Sequence, residues 1–352
     1  MATPPQDLLV VGISSTALFD LTEAARVFDE GGIRRYREYM LAHVNDSLAP
    51  GTGMPLVKAL LGLKRSDSKD SQPLVEVVVM SQNSPETGVC ITNNVRALGL
   101  SITRFAFTGG EALANYIEAY HIDLFLSRDE RDVQRVIDSG TCAAALLYDP
   151  PSEFEPVENQ VRIAFDADAV LFSDASELIF RQSGLKGFQA NEDHETDVPL
   201  EPGPYANFLR KLAVVKQATD EDQEYSPVRL AVVTARNAPA EQRVITTFRT
   251  WGVYVDAAFF LGGWDKTPVL QAFRPHVFFD DQDHHVQPAA LVVPAGRVPY
   301  NSRSPLVTAE SEPEPEEVGV PLRRSAADVR VPPTGSVETG EPSGGEVSQP
   351  DP

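Results

Sequence analysis

In Val161-Arg-Ile-Ala-Phe-Asp-Ala-Asp-Ala-Val170 an apolar run of strand length, Val161 to Phe165, ends directly in two carboxylates, Asp166 and Asp168. If the strand continued, residues two apart would point to one face. If the chain turns there, both carboxylates can converge on one cation. An Asp-X-Asp at a strand end is also an ordinary solvated terminus, so the pair has to be weighed with its neighbours.

Those neighbours follow a rule. The run Arg229 to Val233 ends in Thr234, the run His276 to Phe279 ends in Asp280-Asp281, and Lys266 follows Gly262-Gly263-Trp264-Asp265. Between the runs lie helical patterns: Val244, Phe248 and Trp251 recur at i, i+4 and i+7, and Gly252 follows as a stop signal. Strands alternating with helices imply an α/β fold with a doubly wound parallel sheet, whose chemistry gathers at the carboxyl ends of its strands. A nucleophilic carboxylate, an acid/base, donors for phosphoryl oxygens and carboxylates for a hard cation are the parts that phosphoryl transfer to a side chain requires.

The same order occurs earlier in the chain. Val75-Glu-Val-Val-Val-Met-Ser81 matches Val228-Arg-Leu-Ala-Val-Val-Thr234, Phe107-Thr-Gly-Gly110 matches Phe260-Leu-Gly-Gly263, and Glu118 to Leu126 matches Gln271 to Phe279. Each pair is displaced by 153 positions (81 to 234, 110 to 263, 126 to 279). Ala49-Pro50-Gly51 and Glu201-Pro202-Gly203 add a further match, and Ile91, Val95 and Leu98 repeat the helical face before Gly99. We therefore expect two similar lobes from an internal duplication, spanning 8–150 and 161–303. Stepping back by 153 places Asp166 on Ile13, Asp168 on Ser15, Thr234 on Ser81, Lys266 on Leu113 and Asp280 on Ser127. The first lobe is then expected to be degenerate: a scaffold, a wall for the substrate, or a site for a regulatory nucleotide.

Composition bounds the rest. The 352 residues are 42% hydrophobic, enough for a large core, and carry a formal net charge of −21. So acidic a chain has no electrostatic footprint for a nucleic-acid polymer. A small anionic substrate remains possible where a metal ion reverses the local charge. The two cysteines, Cys90 and Cys142, have no metal-ligand spacing and suit a reducing compartment. No apolar run approaches membrane-spanning length and the start lacks a signal-peptide pattern, so a cytoplasmic protein without membrane contact is expected. Residues 304–352 are rich in Pro, Glu, Ser and Gly, with the acidic run Glu310 to Glu317, and are expected to be a disordered acidic tail.

Taken together, Ala164 to Asp174, Val233-Thr-Ala-Arg-Asn-Ala-Pro239, Phe259-Phe-Leu-Gly-Gly263, Phe278-Phe-Asp-Asp-Gln282 and, in the first half, Asn83-Ser-Pro85 resemble the cytosolic 5′-nucleotidase type I family of the haloacid dehalogenase superfamily. The resemblance covers about residues 8 to 303. It implies a haloacid dehalogenase-like Rossmannoid sheet and a Mg²⁺-dependent hydrolase that releases phosphate from nucleoside 5′-monophosphates (AMP, or pyrimidine or deoxy monophosphates) through an aspartyl-phosphate. In that scheme Asp166 attacks phosphorus and Asp168 exchanges the protons. Thr234 and Lys266 bind phosphoryl oxygens. Asp280 and Asp281 complete the Mg²⁺ site with the Asp166 carboxylate and the Asp168 backbone carbonyl. A cap insertion is implied at about 175–227, including the helix-like stretch Phe208 to Val215. A nucleotide effector is possible in such a scheme, and no oligomeric state is implied. Gln82 stands where the family's first-half motif has Arg. His284 and His285 are candidates to line the site, although paired histidines in loops usually face solvent; Trp264 is expected to pack rather than stack a base. The competing readings are the same chemistry on another small phosphomonoester, and a non-catalytic nucleotide-binding regulator.

Overall fold

The computed structural model describes residues 8–65, 73–219 and 226–309. The first lobe contributes β1 (Leu9–Ser14), β2 (Val75–Ser81), β3 (Arg104–Phe107), β4 (Leu124–Ser127) and β5 (Ala143–Leu147). The second contributes β6 (Val161–Phe165), β7 (Val228–Thr234), β8 (Ala257–Phe260), β9 (Val277–Asp280) and β10 (Ala295–Arg297). Among the described residues these strands form one sheet in the order β3-β2-β1-β4-β5-β10-β9-β6-β7-β8. Read outward from the centre, each half has the same strand order. Within each half the pairings are parallel, and the halves meet in the antiparallel pair β5–β10. The architecture is a mixed α/β, mostly parallel sheet, consistent with a Rossmann-like fold. Its strands are near-continuous apolar runs because both faces are covered.

The helices of the first lobe are α1 (Ser15–Leu18), α2 (Thr22–Ala42), α3 (Met54–Leu61), α4 (Val89–Ala97) and α5 (Glu130–Ser139). Those of the second are α6 (Ala175–His194), α7 (Ala206–Thr219), α8 (Glu241–Trp251), α9 (Thr267–Phe273) and α10 (Asp283–Ala290), followed by α11 (Pro305–Ala309). The long helices α2 and α6 are each bent at a glycine with positive φ, Gly32 (φ 68°) and Gly184 (φ 63°). Only glycine enters that conformation without steric cost, so each bend sits where the sequence permits it. The core of the second lobe is aromatic: Phe165 on β6 lies 6.2 Å from Tyr205, 6.3 Å from Phe208 and 5.8 Å from Phe279. Each such buried ring contributes about 1.5–3 kcal/mol.

The structure departs from the sequence reading in five places. Strand pairing sets Phe165 opposite Val232 and Ile13 opposite Val79, so Phe165, not Asp166, corresponds to Ile13. Asp166 therefore corresponds to Ser14. The offset is 152 along β1 and β6, and it returns to 153 because the second lobe has one more residue in the turn that follows. There the Phe172 amide reaches back to the Ala167 carbonyl, five residues away, where the Phe19 amide reaches the Ser15 carbonyl, four away. The second-lobe turn, Ala167–Leu171, is not a regular helix, because Asp168 is extended (ψ 142°) and Ala169 left-handed (φ 56°), and Asp168 has no single first-lobe counterpart, Ser15 included.

The remaining differences are smaller. The segment expected as one cap, 175–227, divides: α7, with Phe208 on the Phe165 cluster and Lys216 bound to Asp256 beside β8, is a sheet-packing helix, leaving the bent α6 as the covering piece. The tail expected from Ser304 starts later, since α11 buries Leu306 completely; residues 310–352 lie outside the described residues. Trp264 is 71% exposed rather than packed. Leu98, read as part of an apolar face, is largely solvent-facing at the end of its helix. Among the described residues no helix is long and apolar enough to cross a membrane.

Candidate active site

The site forms where β6 ends between β7 and β9. The chain passes from β6 to β7 on one side while β9 pairs on the other, which opens a crevice at the strands' carboxyl ends. Asp166 is the first residue past β6, Thr234 the last of β7 and Asp280 the last of β9. Lys266 enters from the N-terminal end of α9. Burial follows from this placement: Asp166 is 6% exposed, Thr234 1%, Lys266 2%, Asp280 0% and Asp281 4%.

Asp166, Asp280 and Asp281 each offer an oxygen within 4.8 Å of the others. Lys266 Nζ donates to Asp166 Oδ1 at 2.7 Å and to Asp280 Oδ2 at 2.6 Å. Asp280 Oδ1 accepts from the Gln282 amide at 2.9 Å, and the Tyr300 hydroxyl donates to Asp281 Oδ2. His285 Nδ1 lies 3.4 Å from Asp280 Oδ2, close enough to act on its charge but without hydrogen-bond alignment. Its ring lies tilted against that of His284, with centroids 4.0 Å apart.

Three buried carboxylates against one ammonium leave an excess of negative charge, and the acidities register it. Burial pushes the Asp166 carboxyl up to about 6; Lys266 opposes the rise, while Asp280 and Asp168 add to it. Burial, then Asp280 and Asp166, push Asp281 well above the usual carboxylate range. At Asp280 burial also pushes upward, but Lys266 and His285 outweigh it and hold this carboxyl below the ordinary range. Burial works against the Lys266 charge, yet Asp166 and Asp280 raise its ammonium above an ordinary lysine. One cation too few, all-oxygen donors and a dry setting suit a hard divalent ion.

Asp168 is turned elsewhere. Its carboxylate accepts from Arg236 Nε at 2.8 Å and from an Arg236 terminal nitrogen at 2.6 Å, a two-pronged pair. Arg236 is itself buried and also donates to Glu192 Oε2 at 2.5 Å and Ser176 Oγ at 2.8 Å, both on α6. Arg243 holds the other Glu192 oxygen at 2.9 Å. Burial opposes the Arg236 charge, but Asp168 and Glu192 outweigh it and hold its guanidinium protonated more firmly than an ordinary arginine. This network ties Asp168 to the covering helix, and sequence reasoning did not assign it. Arg236 stands inside Val233–Pro239, but nothing local distinguishes it from a surface arginine. Glu192 is one of several acids in α6. Tyr300 lies past the last motif.

The Thr234 Oγ1 accepts from the Arg236 amide at 3.2 Å and keeps its own hydrogen free to donate. Of the residues singled out from sequence, Asp166, Lys266, Asp280 and Asp281 therefore come together as one cluster. Thr234 ends the adjacent strand, Asp168 faces Arg236, and His285 flanks Asp280.

A family model described as 5′-nucleotidase matches residues 1–305. Among curated proteins the chain is 36% identical over 291 residues to human cytosolic 5′-nucleotidase 1B, across 81% of this chain and 48% of that protein. The chain thus spans about half the length of the curated relative it matches. No solved structure matches it.

Proposed function

The chain belongs to the 5′-nucleotidase family, and from that premise we propose that its second lobe hydrolyses nucleoside 5′-monophosphates to nucleoside and phosphate through an aspartyl-phosphate on Asp166. The observation that carries the proposal is the convergence of buried Asp166, Lys266, Asp280 and Asp281 at adjoining strand ends. A pure binding site has no use for a carboxylate placed there beside a lysine. The finer fold reading belongs with this proposal: a haloacid dehalogenase-type lobe and a degenerate copy from an internal duplication, supported by the matching strand orders.

Asp166, Asp280 and Asp281, with the Asp168 backbone carbonyl, would hold Mg²⁺; when bound, it neutralises charge between the attacking carboxylate and the phosphate dianion. Lys266 adds a second positive charge at the same place and Thr234 a neutral donor for a phosphoryl oxygen. An Asp166 oxygen forms a bond to phosphorus as the bond to the ribose O5′ breaks. Once swung clear of Arg236, the Asp168 carboxylate takes up a proton from solvent and passes it to the departing ribose O5′. A water then gives a proton back to Asp168 and attacks phosphorus, releasing phosphate and restoring the Asp166 carboxylate.

Phosphate release from AMP in the presence of Mg²⁺ is the test, with CMP, dCMP and a sugar phosphate as parallel substrates. Asp166→Asn is expected to lower turnover by ~10³-fold or more with the fold intact, because an amide is a very poor nucleophile. EDTA should abolish activity and added Mg²⁺ restore it. Near-normal turnover in the pure variant, or activity that survives chelation, would refute the mechanism. Preference for the sugar phosphate would reassign the substrate.

A further inference from the structure

The first lobe has an equivalent crevice, and it is open. The positions corresponding to Asp166, Thr234, Lys266 and Asp280 are Ser14, Ser81, Leu113 and Ser127, and all four line one cavity of ≈ 890 Å³. At these positions the lobe carries neither the nucleophile, the metal carboxylate nor the ammonium. Three of the replacements are hydroxyls and one is apolar.

What remains in the wall defines a ligand. Asp132 is 2% exposed, and its Oδ2 accepts from Gln82 Nε2 at 2.8 Å. Its Oδ1 is buried with no hydrogen-bond partner among the described residues; the Leu113 amide lies nearby without closing a bond to it. Asn83 Oδ1 accepts from the Tyr36 hydroxyl at 2.6 Å, which leaves the buried Asn83 Nδ2 as a donor without a partner. Asp132 and Asn83 both line the cavity, and a small rotation of each side chain would turn its unpaired atom toward a ligand that supplies the complement. Phe28 and Ile33, on the bent helix α2, are exposed at the same cavity and offer an apolar face.

Charge excludes the phosphorylated form. The ionisable side chains of the lining are Asp29, Glu86, Asp129, Asp132 and Arg37, and Arg37 is already paired with Glu86 at 2.5 Å. Gln82 meets Asp132 as a neutral amide, so no cation lining the cavity compensates that carboxylate. A phosphate dianion would be repelled, whereas an uncharged ring compound with hydroxyls and ring nitrogens would satisfy both open groups.

We propose that the first-lobe cavity binds an uncharged nucleoside and discriminates against its 5′-monophosphate. The choice of nucleoside among neutral heterocycles rests on the proposed reaction, of which it would be the product; the cavity would then sense product in the same chain that makes it.

Titration calorimetry of the full chain without Mg²⁺ tests this, using adenosine, cytidine and their 5′-monophosphates. Wild type and Asp166→Asn should bind at least one of the two nucleosides equally. Asp132→Asn should weaken that binding at least tenfold, as should Ala25→Trp, which fills the exposed mouth without touching the core. The monophosphate should bind this site at least tenfold more weakly than its nucleoside, and Gln82→Arg should narrow that gap. Failure of both nucleosides to bind would overturn the proposal. So would binding lost in Asp166→Asn but kept in both first-lobe variants, or a monophosphate that competes as well as the nucleoside. AMP hydrolysis by the same preparations separates the two readings: nucleoside binding without hydrolysis would leave the cavity standing and sink the catalytic assignment.

Discussion

At the end of β6 a carboxylate meets a lysine and two further carboxylates; at the end of β1 the corresponding places hold Ser14, Leu113, Ser127 and Arg128, the last paired with Asp149. The framework around them hardly differs. Both lobes run five strands in the same order, bend a long helix at a glycine, and pin the same loop by an isolated bridge, Phe19 to Pro50 and Phe172 to Pro202. Buried apolar side chains set that framework, and they survive in both halves. The proposed chemistry rests on a handful of strand-end positions plus one extra residue in the turn carrying Asp168. The comparison teaches that the fold and the site are separable: the same sheet presents a lysine-centred carboxylate cluster in one lobe and an acidic cavity with hydroxyls at the matching strand ends in the other.

Substitutions at paired positions sharpen this contrast. The largest expected difference is between Thr234→Ala and Ser81→Ala. Loss of the Thr234 hydroxyl should lower kcat by ~10²-fold, because it removes a donor aimed at a transferring phosphoryl group. Loss of the Ser81 hydroxyl, whose listeners are the Asn83 amide and Ser15, should leave kcat within about twofold. Steady-state kinetics on both folded variants decide it, and equal losses would give the first lobe a direct catalytic part.

Next in size is Arg236 against Asn83, which the Gly262 and Gly109 amides mark as equivalent by bonding their carbonyls. Arg236→Ala would leave the fully buried Glu192 with Arg243 alone and Asp168 without its partner, and should destabilise the protein by about 3 kcal/mol. Asn83→Ala removes one amide contact and should cost roughly 1 kcal/mol. Urea melts of the two variants would measure the gap.

The smallest contrast concerns pH. His276 Nδ1 accepts the Arg162 amide at 3.1 Å, and Asp123 Oδ2 accepts the Val10 amide at 2.9 Å in the equivalent place. Burial, with the nearby Arg162 charge, pushes the His276 imidazole down to about 4 from 6.5. The unfolded chain therefore binds the proton first. This contribution to stability is complete above pH 6.5 and is lost as pH falls from there through 4, on the order of 1–3 kcal/mol. His276→Asn should flatten the stability profile across that window, and an unchanged slope would remove His276 as its source.

Much of this was legible in the sequence, and for identifiable reasons. Asp166, Thr234 and Asp280 each end an apolar run, so their convergence could be read from strand boundaries alone. The matching strand order of the two halves was legible because the turns Thr108-Gly-Gly and Leu261-Gly-Gly keep their spacing to the strands before them. The assignment of Asp166 to Ile13 failed because one constant offset hides the extra residue of the Ala167–Leu171 turn, which only strand pairing exposes. The join of the halves was hidden as well: Ala143–Leu147 and Ala295–Arg297 are short and poor in β-branched residues, and their pairing is a long-range contact without a local signal. Arg236 was missed because its role lies in being buried between Asp168 and Glu192, far from both in the chain.

The central claim, that one lobe performs the chemistry and Asp166 carries the phosphoryl group, is tested most directly by trapping the intermediate. Full-length protein would be mixed with Mg²⁺ and AMP, quenched in acid within the first turnover, reduced with tritiated borohydride and mapped by mass spectrometry. The account predicts label at a single residue, Asp166, reduced there to homoserine, and none between residues 8 and 150. Label on another side chain, or direct entry of solvent ¹⁸O into phosphate during a first turnover that leaves Asp166 unmodified, would contradict it.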